Sequence, residues 1–77
     1  MSEYGVVLFY TTSAALRAEK VVQRAGLAVK LIPTPREFSS DCGIALRFLW
    51  ADAEQIAPLL ATSRVEMADL RPMAART

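Results

Sequence analysis

Histidine is absent from this chain, and cysteine (one), tryptophan (one) and glycine (three) are scarce among its 77 residues. Zinc sites draw their ligands chiefly from Cys and His, so no site of that kind can be built by one chain, and neither a metal nor another cofactor is expected. A lone Cys42 cannot close an internal disulfide, and CxxC is missing, which excludes the stapled framework of small secreted domains. Charge of one sign is lacking too: nine basic against eight acidic residues leave +1. That removes the broad electrostatic footprint of a nucleic-acid binder, and no nucleic-acid partner is expected. No segment approaches the roughly 20 apolar residues of a membrane span, and Met1-Ser2-Glu3-Tyr4 lacks the basic start and apolar run of a signal peptide. The expectation is a soluble, cytoplasmic protein with no membrane partner.

What is present is apolar: 53% of the residues are hydrophobic. A chain of this length has room for one core, near the size at which burial only just exceeds the entropy lost on folding. So rich a composition in one small domain, here residues 1–71 with 72–77 as a flexible tail, suggests that a second subunit covers part of the surface.

Tyr4 to Tyr10 (YGVVLFY) is β-branched and aromatic and reads as a central strand. Thr12 or Ser13 then offers a hydroxyl as N-cap for a helix over roughly 13–25, and Gly26 stands where a left-handed C-terminal residue is wanted. On that helix Ala14, Ala15, Ala18, Val21, Val22 and Ala25 share one arc, so a small-sided stripe can sit close to a sheet. Leu27–Ile32 and Gly43–Trp50 alternate as two further strands. Asp52 should cap a second helix to about residue 62, with Pro58 kinking or shortening it. Arg64 to Leu70 reads as a weaker final strand. The order β-α-β-β-α-β predicts an α+β, ferredoxin-like fold, one antiparallel sheet with both helices on one face. The other face would expose Ala28, Ile32, Ala45 and Leu49, and self-association into a homodimer through it is expected. Arg47, the odd charge on that face, is expected to pair with Glu66 across strands.

Between the second and third strands lies Ile32-Pro33-Thr34-Pro35-Arg36-Glu37-Phe38-Ser39-Ser40-Asp41-Cys42-Gly43. Pro33 and Pro35 stiffen it, and Gly43 leaves room for a sharp turn. Most free cysteines are small buried hydrophobes. The polar flank argues for an accessible thiol here, set by the topology near the end of strand one and the first turn of helix one, where Thr12 and Ser13 lie. Amides at a helix N-terminus favour thiolate, as would Arg36, whereas Asp41 opposes it, and the sign of the net shift stays open. Ser39 and Ser40 can donate hydrogen bonds to a thiolate, or simply form local turns.

Three blocks, Ala15-Leu16-x-x-Glu19-Lys20, Lys30-Leu31-Ile32-Pro33-x-Pro35-Arg36 and Ser39-Ser40-x-Cys42-Gly43-Ile44-Ala45-Leu46-Arg47-Phe48, resemble the selenium/sulfur carrier-like family over roughly residues 4 to 70. The chain departs from that pattern at Thr34, between the prolines, and at Asp41. The resemblance implies a small domain that holds sulfur or selenium on Cys42 as a persulfide or selenosulfide, with motif positions at Glu19, Lys20, Pro33, Pro35, Arg36, Ser39, Ser40, Gly43 and Arg47. Such a protein is a carrier or co-substrate more than an enzyme, with a cysteine-desulfurase-like donor and an acceptor protein as partners. Glu19 and Lys20 read from the residues alone as surface charges, since helix neighbours do not face each other. Two other classes remain: a regulatory or ligand-binding module without thiol chemistry, and an RNA-binding module, which would need stacking aromatics where Ile44 and Leu46 stand.

Overall fold

Alternation in the third apolar run sends Leu46 and Phe48 to one side of a strand and Ala45 and Arg47 to the other, and the architecture follows from where the first side is buried. The computed structural model describes residues 3–38 and 43–73. Its elements are β1 (Tyr4–Leu8), α1 (Thr12–Arg24), β2 (Val29–Pro33), β3 (Ile44–Leu49), a single 3-10 turn at Trp50–Asp52, α2 (Ala53–Thr62) and β4 (Asp69–Pro72). The sheet order is β2-β3-β1-β4 with every neighbouring pair antiparallel. This is the ferredoxin-like α+β arrangement that the element order predicts.

The main core lies between the sheet and both helices. Val7, Phe9, Leu46 and Phe48 from the sheet side meet Ala15, Ala18 and Val22 of α1 and Ile56 and Leu60 of α2, all essentially without solvent contact. The small residues of α1 let that helix lie close to the strands, as its sequence predicts. Gly5 of β1 sits directly opposite Phe48. A Cβ there would lie 2.5 Å from both Phe48 Cζ and Trp50 Cε3, so the two stacked rings, 6.0 Å between centroids, close over a position that only hydrogen can occupy.

Both helices end in the same device. At the end of α1 the Leu27 amide donates to the Val22 carbonyl and the Gly26 amide to Gln23, with Gly26 at φ 86°. At the end of α2 Val65 donates to Leu60 and Arg64 to Ala61, with Arg64 at φ 58°. These are Schellman motifs, one carrying the expected glycine and the other an arginine in a left-handed backbone.

Several boundaries differ from expectation. Residues 64–68 are not strand, because the Schellman turn at Arg64 folds Val65 back into the core; the Ala68 amide then donates to the Leu8 carbonyl at 2.7 Å and the strand beside β1 is Asp69–Pro72. The strand in turn includes Pro72, opposite Gly5, and the Met73 amide donates to the Tyr4 carbonyl, so the ladder extends into residues expected to be tail. The first strand ends at Leu8, the second is displaced to Val29–Pro33, and Trp50 leaves the third to begin the 3-10 turn. Asp52 precedes α2 without a side-chain capping bond, the preceding 3-10 turn leading the chain in instead. Pro58 lies inside α2 and does not end it.

Candidate functional site

The β2–β3 connection is closed at its base. Pro33 pairs with Ile44, and the next amide, Thr34 N–H, donates to the Gly43 carbonyl at 3.0 Å. The Phe38 amide then donates to the Pro35 carbonyl at 3.0 Å, a β-turn with Arg36 and Glu37, both exposed, at its corner. The turn directs Phe38 back onto the sheet. Its ring packs with Ile32 and Met73 against Val6, Leu8 and Ala45, and the guanidinium carbon of Arg71 stands 5.8 Å from its centroid. Residues 34–38 of the connection therefore lead onto the sheet face away from the helices.

The Leu8–Ala45 pairing puts the start of β3 at the carboxyl end of β1, close in the chain to the start of α1. The N-cap of that helix is Thr11, not Thr12 or Ser13: its hydroxyl accepts from the Ala14 amide at 3.1 Å. The reason is backbone conformation, since Thr11 is still extended (φ −139°, ψ 155°) and Thr12 is already helical. Thr12 and Ser13 are exposed in the first turn. Gly43 is exposed, and among the described residues nothing lies within 4 Å of where a Cβ on it would stand. Ser39, Ser40, Asp41 and Cys42 lie outside the described residues. Glu19 is half-buried and Lys20 exposed on α1. Among the described residues no group of three His, Cys, Asp or Glu side chains is placed to hold a metal.

Arg47 does not pair with Glu66. The strand beside β3 on that side is β1, β4 lies beyond it, and Glu66 is exposed ahead of β4. The Arg47 guanidinium instead sits over the Tyr4 ring, 4.5 Å from its centroid. The sheet face expected to be bare is divided: Ala45 is buried and Ile32 half-buried under the Phe38 cover, while Ala28 and Leu49 remain exposed. Sequence reasoning missed Phe38 as the anchor, although a lone aromatic between prolines and serines was the available signal.

A family model described as "Putative Se/S carrier protein-like" matches residues 4–71. The chain belongs to this family. The match begins with the first residue of β1 and ends at Arg71 in β4, so it takes in both helices and all of the sheet but Pro72. No curated protein and no solved structure matches the chain. Among the described residues no helix is long and apolar enough to cross a membrane.

Proposed function

We propose that this protein is a non-enzymatic carrier that holds sulfur or selenium on the Cys42 thiol as a persulfide or selenosulfide. The observation that carries the reading is membership of the carrier-like family across the entire fold. The described residues on either side of Cys42 support the reading: the Thr34 amide is tied to the Gly43 carbonyl and Phe38 is anchored on the sheet, so the chain is held both before and after the segment that carries Cys42.

The chemistry asks little of the carrier. The Cys42 thiolate attacks the outer sulfur of a donor's cysteine persulfide. Its electron pair forms the new S–S bond, the donor's S–S bond breaks, and the donor cysteine leaves as thiolate. Cys42 keeps the transferred sulfur as S–SH, with no net oxidation of the pair. The donor presents sulfur already activated, as a cysteine-desulfurase-like enzyme does, so the carrier needs only an accessible thiolate and no general base. Arg36, exposed at the turn corner, is available to interact with the donor or with the charged sulfur. A reducing, cytoplasmic compartment suits a free thiol.

Intact mass measured on protein purified without reductant, and again after incubation with a desulfurase and cysteine, tests the reading. Cys42 should gain a sulfur mass that reductant removes, and Cys42→Ser should gain none while keeping the wild-type circular dichroism spectrum. A native thiol that is alkylated only after denaturation would refute it.

A further inference from the structure

The registers of the three strand pairs place one row of side chains across the face away from the helices. Lys30 stands opposite Arg47, Arg47 opposite Val6, and Val6 opposite Arg71. Arg71 is accounted for locally, by Asp69 at 3.4 Å and by the Phe38 ring. Neither Lys30 nor Arg47 joins an ion pair among the described residues. Like charges directly opposite on neighbouring strands destabilise a sheet. Lys30 is exposed, so the core does not require a cation there.

A depression of about 170 Å³ opens at this pair, with Tyr4, Ala28, Lys30, Arg47 and Leu49 in its lining. Arg47 is held in place by its contact with the Tyr4 ring, and that contact consumes none of the guanidinium's N–H donors. Two facing cations, one of them a planar fork, suit a doubly charged oxyanion, which would neutralise the pair where a single carboxylate leaves net charge.

We propose that the Tyr4–Lys30–Arg47 depression binds the phosphate group of a small phosphorylated molecule. Phosphate binding there does not require the Cys42 thiol. Nucleic acid fits less well, because Tyr4 and Phe38, the aromatic rings of this face, each already carry a guanidinium where a base would stack. A second copy of the chain placed face to face would set cations against cations.

Amide chemical shifts followed during titration with sodium phosphate at constant ionic strength provide the test, with acetate as the control anion. Saturating shifts should centre on Tyr4, Lys30 and Arg47, with a dissociation constant in the millimolar range. Acetate should bind more weakly. Lys30→Gln should weaken phosphate binding about tenfold, the loss of one charge-assisted contact, and without phosphate its melting temperature should equal or exceed wild type. Shifts that rise linearly without saturation to about 50 mM, or that appear equally at Arg17, Lys20 and Arg24 of α1, would overturn the proposal. So would an oligonucleotide that binds this face far more tightly than phosphate, or a dimer that buries it in sedimentation.

Discussion

Gly5→Ala adds a single methyl group in the middle of β1 and should be one of the more damaging small substitutions available to this protein. The new Cβ would lie 2.5 Å from Phe48 Cζ and 2.5 Å from Trp50 Cε3. Phe48 is 1% exposed and packed within the main core, so its ring cannot swing away into solvent. Overpacking of a filled core costs about 1–3 kcal/mol, and replacing glycine returns about 0.4–1 kcal/mol by narrowing the unfolded ensemble. The net destabilisation is then about 1–2 kcal/mol, and at roughly 4–8 °C per kcal/mol for a domain of this size the melting temperature should fall by some 4–16 °C.

Thermal and urea unfolding, read by circular dichroism and by the fluorescence of Trp50, measure the loss. Gly43→Ala is an internal control, because among the described residues nothing lies within 4 Å of its added Cβ. Phe48→Leu removes the Cζ atom that the new methyl meets, so Gly5→Ala should cost less in that background than in wild type. The reasoning fails if Gly5→Ala melts at or above Gly43→Ala, or if the Phe48→Leu background leaves the cost unchanged.

Arg64→Gly should stabilise the protein by about 0.5–1 kcal/mol, the left-handed penalty of a side chain less the added entropy of glycine, as a higher urea midpoint at unchanged m-value. Phe38→Ala should cost about 1–2 kcal/mol, half or less of a fully buried phenylalanine, and should increase binding of a hydrophobic dye as Val6, Leu8 and Ala45 are uncovered. Equal dye binding by variant and wild type would show that Phe38 does not shield that cluster.

The parts of the fold legible in the sequence are those where one local signal coincides with one tertiary role. The small-residue arc of α1, the alternation of β3 and the glycine after α1 all have that character, and the topology followed from them. Arg64 did not, because nothing in its side chain announces a left-handed backbone; the Schellman turn there is dictated by Leu60 and Val65 packing into the core, and the period-two pattern around it mimicked a strand. Thr11, Thr12 and Ser13 offer three hydroxyls in a row, and only the exit angle of β1 decides which one caps. Gly5 carried a readable sign, since glycine within a strand commonly marks a close approach, but which rings approach depends on register. At the candidate site a turn beside the prolines was legible, and the Phe38-to-Pro35 hydrogen bond forms it. Its direction across the sheet was not, because the pairing of Phe38 with Val6, Leu8 and Ala45 is set by contacts far apart in sequence.

That direction connects the two faces of the molecule. Had the residues up to Phe38 projected away from the sheet, the described part of the β2–β3 connection would be held only by the hydrogen bond between Thr34 and Gly43. Because Phe38 docks on Val6, Leu8 and Ala45 beneath Arg71, the loop is held at a second point, on residues of β1 and β3 and beside β4. The same cover separates the open face into an apolar part under Phe38 and Met73 and a cationic part at Lys30 and Arg47. Both Phe38 and Gly43, the described residues that flank the Cys42 segment, are thus held by contacts, and the same sheet face carries a cationic patch that joins no ion pair among the described residues. Anchoring and charge act on different ligands: the first concerns a protein that meets the β2–β3 connection, and the second a phosphorylated small molecule drawn to Lys30 and Arg47. The two are separable by experiment, since Phe38→Ala should alter sulfur transfer to Cys42 without changing phosphate affinity, and Lys30→Gln should do the reverse.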